Sequence, residues 1–128
     1  MTANQLTRIY LEYISCLNNR NLPGLGRYVH ERASHNGRRL GLAGYREMLE
    51  KDFQGIPDLK FGVQFLVAEP PRIASRLQFN CTPSGEFLGL PVNGRQVSFT
   101  ENVFYEFEDG KICHVWSVID KLAIEKQL

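Results

Sequence analysis

The first part of the chain places apolar residues at helical spacing. One face of the opening segment carries Leu6, Ile9, Tyr10, Tyr13 and Leu17. Thr2 and Gln5 have the spacing of a capping box, which predicts where this helix begins. A short second helix is suggested by Leu22, Leu25 and Tyr28. A third helix has an apolar face of Tyr45, Met48, Leu49 and Phe53, and is expected to end before Gly55.

After residue 58 the apolar period changes to two. Alternation predicts one strand with Leu59, Phe61, Val63, Phe65 and Val67 on one face, and a second with Ile73, Ser75, Leu77, Phe79 and Cys81. A long strand from about residue 97 to 108 and a last strand over 111–120 flank the turn signal Asp109-Gly110. Helices first and strands afterwards are typical of an α+β fold. We expect three N-terminal helices on a curved, mainly antiparallel sheet, which together form a cone with an internal pocket.

Composition sets limits on the class of protein. The chain has 128 residues, which fits a single domain over 1–128. Its formal net charge is +1, so no global field favours nucleic acid or a membrane surface. No apolar run approaches the roughly 20 residues that span a bilayer, and no signal peptide is evident. Three widely spaced cysteines do not suggest a disulfide framework, which favours a cytoplasmic location.

The turn at Asp109-Gly110 predicts the pairing of the last two strands. A two-residue loop pairs Tyr105 with His114, and Glu101 with Val118. One hairpin face then becomes strongly apolar and should face the core or pocket, with Phe99, Val103, Tyr105, Phe107, Ile112, Trp116 and Val118. The same face carries three ionisable residues, Glu101, His114 and Asp120. Desolvation favours the neutral form of a carboxyl group, which can then act as a general acid or base near neutral pH.

Each candidate residue also has a structural interpretation. Asp120 is equally suited to cap the segment that follows it. His114 can be a core or cleft histidine bonded to Tyr105 or Glu101. Arg76 lies in a strand whose face the pattern does not assign, so it can form a surface ion pair or hold a substrate carbonyl or carboxylate.

Other chemistries lack their sequence motifs. No HExxH, CxxC or closely spaced histidine pair predicts a metal site, and no glycine-rich loop follows a strand as dinucleotide binding requires. The GxSxG elbow of serine hydrolases does not occur. We therefore expect no dedicated metal site and no bound dinucleotide.

Four stretches resemble a known family: "PDLKFGVQFLVAE", "CTPSGEFLGLPVNGRQVSF", "YEFEDGKI" and "VWSVIDKLAIEKQL". They are similar to the SnoaL-like polyketide cyclases, often labelled ester cyclases, of the nuclear transport factor 2-like superfamily. The resemblance implies the cone fold, usually as a homo-oligomer. It also implies ring closure by intramolecular aldol condensation without a cofactor.

The resemblance also implies site residues. The family's acid/base aspartate follows the tryptophan of the last strand, and Trp116 and Asp120 match that pattern. A histidine and a polar residue after the second helix correspond to His35 and Asn36. From its position, His35 can equally be a surface histidine before a turn, with Asn36 as the turn residue. Many relatives have a histidine where this chain has Val115.

Two functions follow as hypotheses. The first is a cyclase-type lyase or isomerase in which Asp120 removes a proton next to a carbonyl, with His35 and Asn36 at the enolate oxygen. The second is a protein of the same fold that binds a hydrophobic or polyketide-like small molecule without turnover. Phe104, Val115 and Ile119 are apolar on the otherwise polar hairpin face, which predicts a homodimer through that face.

Overall fold

The computed structural model describes all 128 residues. Helix α1 spans Ala3–Asn18 and begins at the predicted capping box: the Gln5 amide donates to Thr2 Oγ1 at 3.1 Å, and the Thr2 amide donates to Gln5 Oε1 at 2.8 Å. The second predicted helix is a 3-10 helix over Leu22–Arg27. Helix α2 spans Gly41–Gly55, and α3 spans Lys121–Lys126.

Six strands form the main sheet, in the order β2-β1-β8-β7-β4-β3. These strands are β1 (Val29–His35), β2 (Arg38–Arg39), β3 (Gly62–Glu69), β4 (Arg72–Cys81), β7 (Val97–Glu108) and β8 (Lys111–Ile119). Two short strands, β5 (Glu86–Phe87) and β6 (Leu90–Pro91), form a separate hairpin. All pairings are antiparallel except β1 with β8, so the predicted α+β fold with a mainly antiparallel sheet is confirmed.

Strand β1 was not predicted from the sequence. In its sequence, "VHERASH", only Val29 and Ala33 are apolar and buried, and the other residues are polar. The strand is held between β8 and the two-residue β2, which returns after the Asn36-Gly37 turn. Both turn residues have positive φ angles of 49° and 81°, as this tight turn requires.

The predicted register of the last hairpin is wrong beyond its first two pairs. Glu108 pairs with Lys111 and Phe107 with Ile112, as expected, but Glu106 then pairs with His114. Cys113 is the additional residue of a β-bulge, which shifts every later residue of β8 by one position. Because side chains alternate between the two faces of a strand, the bulge reverses which residues of β8 point inward.

A second bulge interrupts β3. Val63 pairs with Leu77, whereas Phe65 pairs with Arg76, so Gln64 is the additional residue. Phe65 and Val67 therefore lie on the outer face of the sheet, not on the face of Phe61 and Val63 as the alternation predicted. Their exposed fractions are 56% and 63%.

The core lies between the helices and the inner face of the sheet. It includes Leu6, Tyr10 and Leu17 of α1, together with alternate apolar residues of β4 and β7. Ile124 of α3 is fully buried, so the C-terminal segment closes one edge of the core. No helix is both long and apolar enough to cross a membrane.

Candidate active site

A cavity of about 460 Å³ opens between the inner face of the sheet and helix α2. Twelve of its 18 lining residues are hydrophobic, which suits an apolar ligand. The hydrophobic count includes three tyrosines, Tyr13, Tyr45 and Tyr105, and the other ionisable and polar residues of the wall are His35, Asn36, Asp52, Glu101, Ser117 and Lys121.

Glu101 is the carboxylate that points into this cavity from the centre of the sheet. Strand β7 places it between the buried residues Phe99 and Val103, with the inward-facing Ile119 opposite. Burial raises the pKa of Glu101 to about 7, and the charge of Asp52 adds to the increase, while the Ser117 hydroxyl opposes it. No Lys or Arg lies within ion-pair distance of Glu101, so its carboxylate is free to exchange a proton near neutral pH.

Asp52 of α2 is a second carboxylate on the cavity wall. Burial raises the pKa of Asp52 to about 6. The residue as a whole is exposed, however, so water reaches the cavity mouth at this point and screens its charge. We therefore regard Glu101 as the more strongly perturbed of the two groups.

His35 and Asn36 line the cavity beside Ser117. The Asn36 side chain accepts a hydrogen bond from the Ser117 amide at 2.8 Å and donates to the Ser117 carbonyl at 3.3 Å. His35 Nε2 lies 3.2 Å from the Ser117 hydroxyl. Burial, and to a lesser extent the charge of Arg38, lowers the pKa of His35, so its imidazole is neutral at pH 7. Asn36 thus joins the end of β1 to β8 through two hydrogen bonds, and His35 lines the cavity.

Asp120 follows β8 and is exposed. Its carboxylate Oδ1 accepts the Ala123 amide hydrogen bond at 3.1 Å, which makes it the N-cap of α3. Its own amide donates to the Thr100 carbonyl at 2.9 Å. Asp120 is not among the residues that line the cavity. The register of an uninterrupted two-residue hairpin would place it opposite Phe99, but the bulge at Cys113 shifts β8 by one residue.

His114 and Trp116 lie on the outer face of the sheet, contrary to the predicted register. Their rings stack with centroids 5.7 Å apart, and Trp116 is 43% exposed. His114 contacts Ser34 Oγ at 2.6 Å and Glu106 at 3.8 Å. The predicted partners Tyr105 and Glu101 are on the opposite face.

Arg76 also lies on the outer face, opposite Asn102 of β7. One guanidinium nitrogen donates to Thr100 Oγ1 at 3.4 Å, while its buried Nε has no hydrogen-bond partner. Arg76 borders an outer groove of about 740 Å³. Five exposed apolar side chains line that groove, and we call them the outer apolar patch: Phe65, Val67, Phe104, Trp116 and Val118.

The cavity contains residues that sequence reasoning did not assign to the site. Asp52 lies seven positions after Tyr45, and this spacing returns to the same helix face, so the helical period could have identified it. Tyr13 and Tyr45 were assigned to apolar helix faces, but nothing in the pattern indicated that their hydroxyls meet. The register of a two-residue loop without a bulge would place Ser117 on the outer face, so the predicted pairing misses it. No group of three His, Cys, Asp or Glu side chains has a geometry that could hold a metal ion.

Together, the helices packed on a curved sheet and the cavity with an internal carboxylate define a small cone-shaped α+β protein with a ligand-sized pocket. The sequence profile of the SnoaL-like polyketide cyclases matches residues 7–128. This chain therefore belongs to the SnoaL-like polyketide cyclase family. A comparison with curated protein sequences gives no match.

Solved structures agree with this assignment. The chain is 53% identical to a SnoaL-like polyketide cyclase from Agrobacterium tumefaciens strain C58, with a TM-score of 0.95 over 99% of this chain and 98% of the other. TsrD from Streptomyces laurentii is 22% identical, with a TM-score of 0.85 over 99% and 96%. AclR from Streptomyces galilaeus, provisionally described as a hydroxylase, is 24% identical, with a TM-score of 0.79 over 98% and 96%. The last two likenesses concern the fold alone.

Proposed function

We propose that this protein is a cyclase-type enzyme that uses its own side chains for acid–base catalysis on a hydrophobic carbonyl substrate. The observation that supports this proposal is Glu101: a carboxylate inside a largely apolar cavity, without a cationic partner, whose pKa is raised to about 7. A base with a pKa near the working pH combines a useful ionised fraction with useful proton affinity.

In the proposed reaction, ionised Glu101 removes a proton from the carbon next to the substrate carbonyl. The electron pair of that C–H bond becomes the enolate, which attacks a second carbonyl of the same molecule and closes a ring. Glu101 then returns its proton to the new alkoxide. Neutral His35 provides a hydrogen-bonding group on the same wall, and most of the cavity lining around the intermediate is apolar.

The first half of this reaction can be tested without the natural substrate. α-Tetralone, a bicyclic aryl ketone, is small enough for the cavity, and its α-protons exchange with deuterium only when an enolate forms. We expect the protein to accelerate this exchange in D₂O, as followed by proton NMR. Glu101→Gln should reduce the acceleration by about 100-fold or more, the usual contribution of a general base.

The matched control is Glu108→Gln, which changes an exposed carboxylate at the hairpin end of the same strand. It should exchange tetralone as the wild type does. Equal exchange rates for the Glu101→Gln variant and the wild type would exclude Glu101 as the base. Binding of tetralone without any exchange would favour the alternative function, a small-molecule-binding protein, which the apolar lining of the cavity also supports.

We also propose that the protein is a homodimer through the outer apolar patch. The patch lies on the outer face of β3, β7 and β8, and its large side chains are between 43% and 71% exposed. Contiguous exposed apolar surface of this kind is typical of association sites. Phe104 belongs to the patch as the sequence predicted, but Val115 is buried and Ile119 lines the cavity, so those two predicted interface residues are corrected.

A further inference from the structure

Two buried tyrosines of the cavity wall share a single hydrogen bond. Tyr13 comes from α1 and Tyr45 from α2, and both are at most 3% exposed. Their hydroxyl oxygens are 2.7 Å apart, and either can be the donor. Neither hydroxyl has another hydrogen-bond partner in the protein, and both residues line the same cavity as Glu101.

The hydrogen bond between the two tyrosines uses only one of their two hydroxyl protons. Each phenol hydroxyl has one proton to donate. Two hydroxyls therefore hold two protons, and their mutual bond uses one of them. The second proton has no acceptor within the protein, which is costly for a buried donor. A ligand in the cavity can supply the missing acceptor.

The surroundings keep both phenols protonated. Burial is the main cause that raises the pKa of Tyr13 and of Tyr45, and the nearby charge of Glu101 acts in the same direction. Both residues therefore remain neutral hydrogen-bond donors throughout the pH range in which Glu101 titrates. A neutral donor interacts more strongly with an oxygen that gains negative charge than with a neutral carbonyl.

We propose that the Tyr13–Tyr45 pair is an oxyanion-binding site, which donates its unused proton to a ligand oxygen of enolate or phenolate character. For catalysis, this inference rests on the proposed function. As Glu101 takes the α-proton, the electrons of the C–H bond move into the enolate, and the former carbonyl oxygen becomes negative. The tyrosine pair would then stabilise the transition state more than the ground state. The substrate class is correspondingly a ketone whose enolisable group reaches these hydroxyls.

Tyr10 provides a matched control. Its buried hydroxyl contacts Ser75 at 2.9 Å and Tyr105 at 3.3 Å, but Tyr10 does not line the cavity. Tyr10→Phe thus removes a buried, hydrogen-bonded phenol hydroxyl of the same core without removing a donor from the cavity wall.

The experiment compares two probes of nearly the same shape. One is a nitro-substituted 2-naphthol that is ionised at about pH 8, and the other is its methyl ether, which carries no charge. Binding of each is measured by absorbance and calorimetry in a Glu101→Gln background, where the Glu101 carboxylate no longer repels the anion. We expect the Tyr13→Phe/Tyr45→Phe double variant, which leaves no hydroxyl proton for the ligand, to weaken naphtholate binding by about 10- to 100-fold, as the loss of a hydrogen bond to a charged group predicts. Binding of the ether should change little, and Tyr10→Phe should change neither.

Three outcomes would overturn the oxyanion site. They are a Glu101→Gln protein that does not bind the naphtholate, a double tyrosine variant that binds both probes as its parent does, and a double tyrosine variant that loses both probes equally. Retained ether binding shows that each variant is folded. The two proposals can fail separately. Tetralone exchange that is unaffected by Glu101→Gln would refute the proposed function alone. In that case, a double tyrosine variant that binds the naphtholate more weakly and the ether as before would still support the tyrosine site.

Discussion

Glu101 and Ile119 face each other across strands β7 and β8, although an uninterrupted hairpin would have placed Val118 opposite Glu101. The bulge at Cys113 makes this difference. It turns Val115, Ser117 and Ile119 toward the cavity and Trp116 and Val118 toward the outer groove. Glu101 consequently lies near a serine and an aliphatic side chain, and no cation neutralises its charge.

The proposed base predicts how activity depends on pH. Ionised Glu101 is the active form, so the rate of tetralone exchange should rise with pH and reach half of its maximum near the Glu101 pKa of about 7. The charge of Asp52 contributes to this raised pKa, so Asp52→Asn should move the midpoint to lower pH. A pH–rate profile of both proteins measures this. A profile that falls as pH rises through 7 would contradict a carboxylate base.

Glu101 should also reduce stability at high pH. Its pKa is about 7 in the folded protein and 4.5 in the unfolded reference, so the folded state binds more protons between these values. The free energy of unfolding therefore falls as pH rises through this window, by up to about 3 kcal/mol. We expect Glu101→Gln to be more stable than the wild type above pH 7 by about this amount, and equally stable below about 4.5. Urea unfolding at several pH values tests this, with Glu108→Gln as the control that should show no such dependence.

Asp120 allows the capping and catalytic interpretations to be separated. Asp120→Ala should lower the free energy of unfolding by about 0.5–2 kcal/mol, and Asp120→Asn by much less, because asparagine is also a good N-cap. The family resemblance implies that the Asn variant is folded but inactive. The observed geometry, with the carboxylate exposed and bonded to Ala123, favours an active variant. We expect tetralone exchange close to that of the wild type, and its loss in a stable Asp120→Asn protein would restore Asp120 as the acid/base residue.

The outer apolar patch should control the oligomeric state. Light scattering at tens of micromolar protein should give a dimer, and Phe104→Glu should give a monomer because a charge would be buried without a partner. Leu11→Glu is the matched control, since Leu11 is also exposed, at 46%, but lies on α1 away from the sheet. A monomeric wild type, or a dimer that survives Phe104→Glu, would place any self-association elsewhere.

Tetralone exchange should not depend on a bound metal ion. No cluster of suitable side chains exists to hold one, and Glu101 is proposed to act without it. We therefore expect full activity after treatment with a chelator. Activity that is lost on chelation and restored by one particular metal would show that the proposed chemistry is incomplete.

Much of the fold could be predicted because it depends on local rules. The Thr2–Gln5 capping box set the start of α1, and the Asn36-Gly37 and Asp109-Gly110 signals marked real turns whose residues adopt positive φ angles. Alternation along β7 identified its inner face correctly, including the position of Glu101. Alternation along β4 grouped Ile73, Leu77 and Phe79 on one face but did not assign that face to the core. These features need only a short stretch of sequence, since caps, tight turns and uninterrupted strands follow from backbone geometry.

The tertiary structure decided the rest of the site. A bulge adds one residue to a strand without a distinctive sequence signal. Strict alternation along β8 therefore predicts His114 and Trp116 on the inner face of the sheet and Ser117 on the outer face, which the bulge reverses. Strand β1 has little apolar alternation of its own and is stabilised by pairing with β8, which is distant in sequence. The sequence alone thus determined the α+β architecture and the inward position of Glu101. Long-range packing decided that Asp52, His35 and the Tyr13–Tyr45 pair share its cavity, because their proximity depends on how separate elements are brought together.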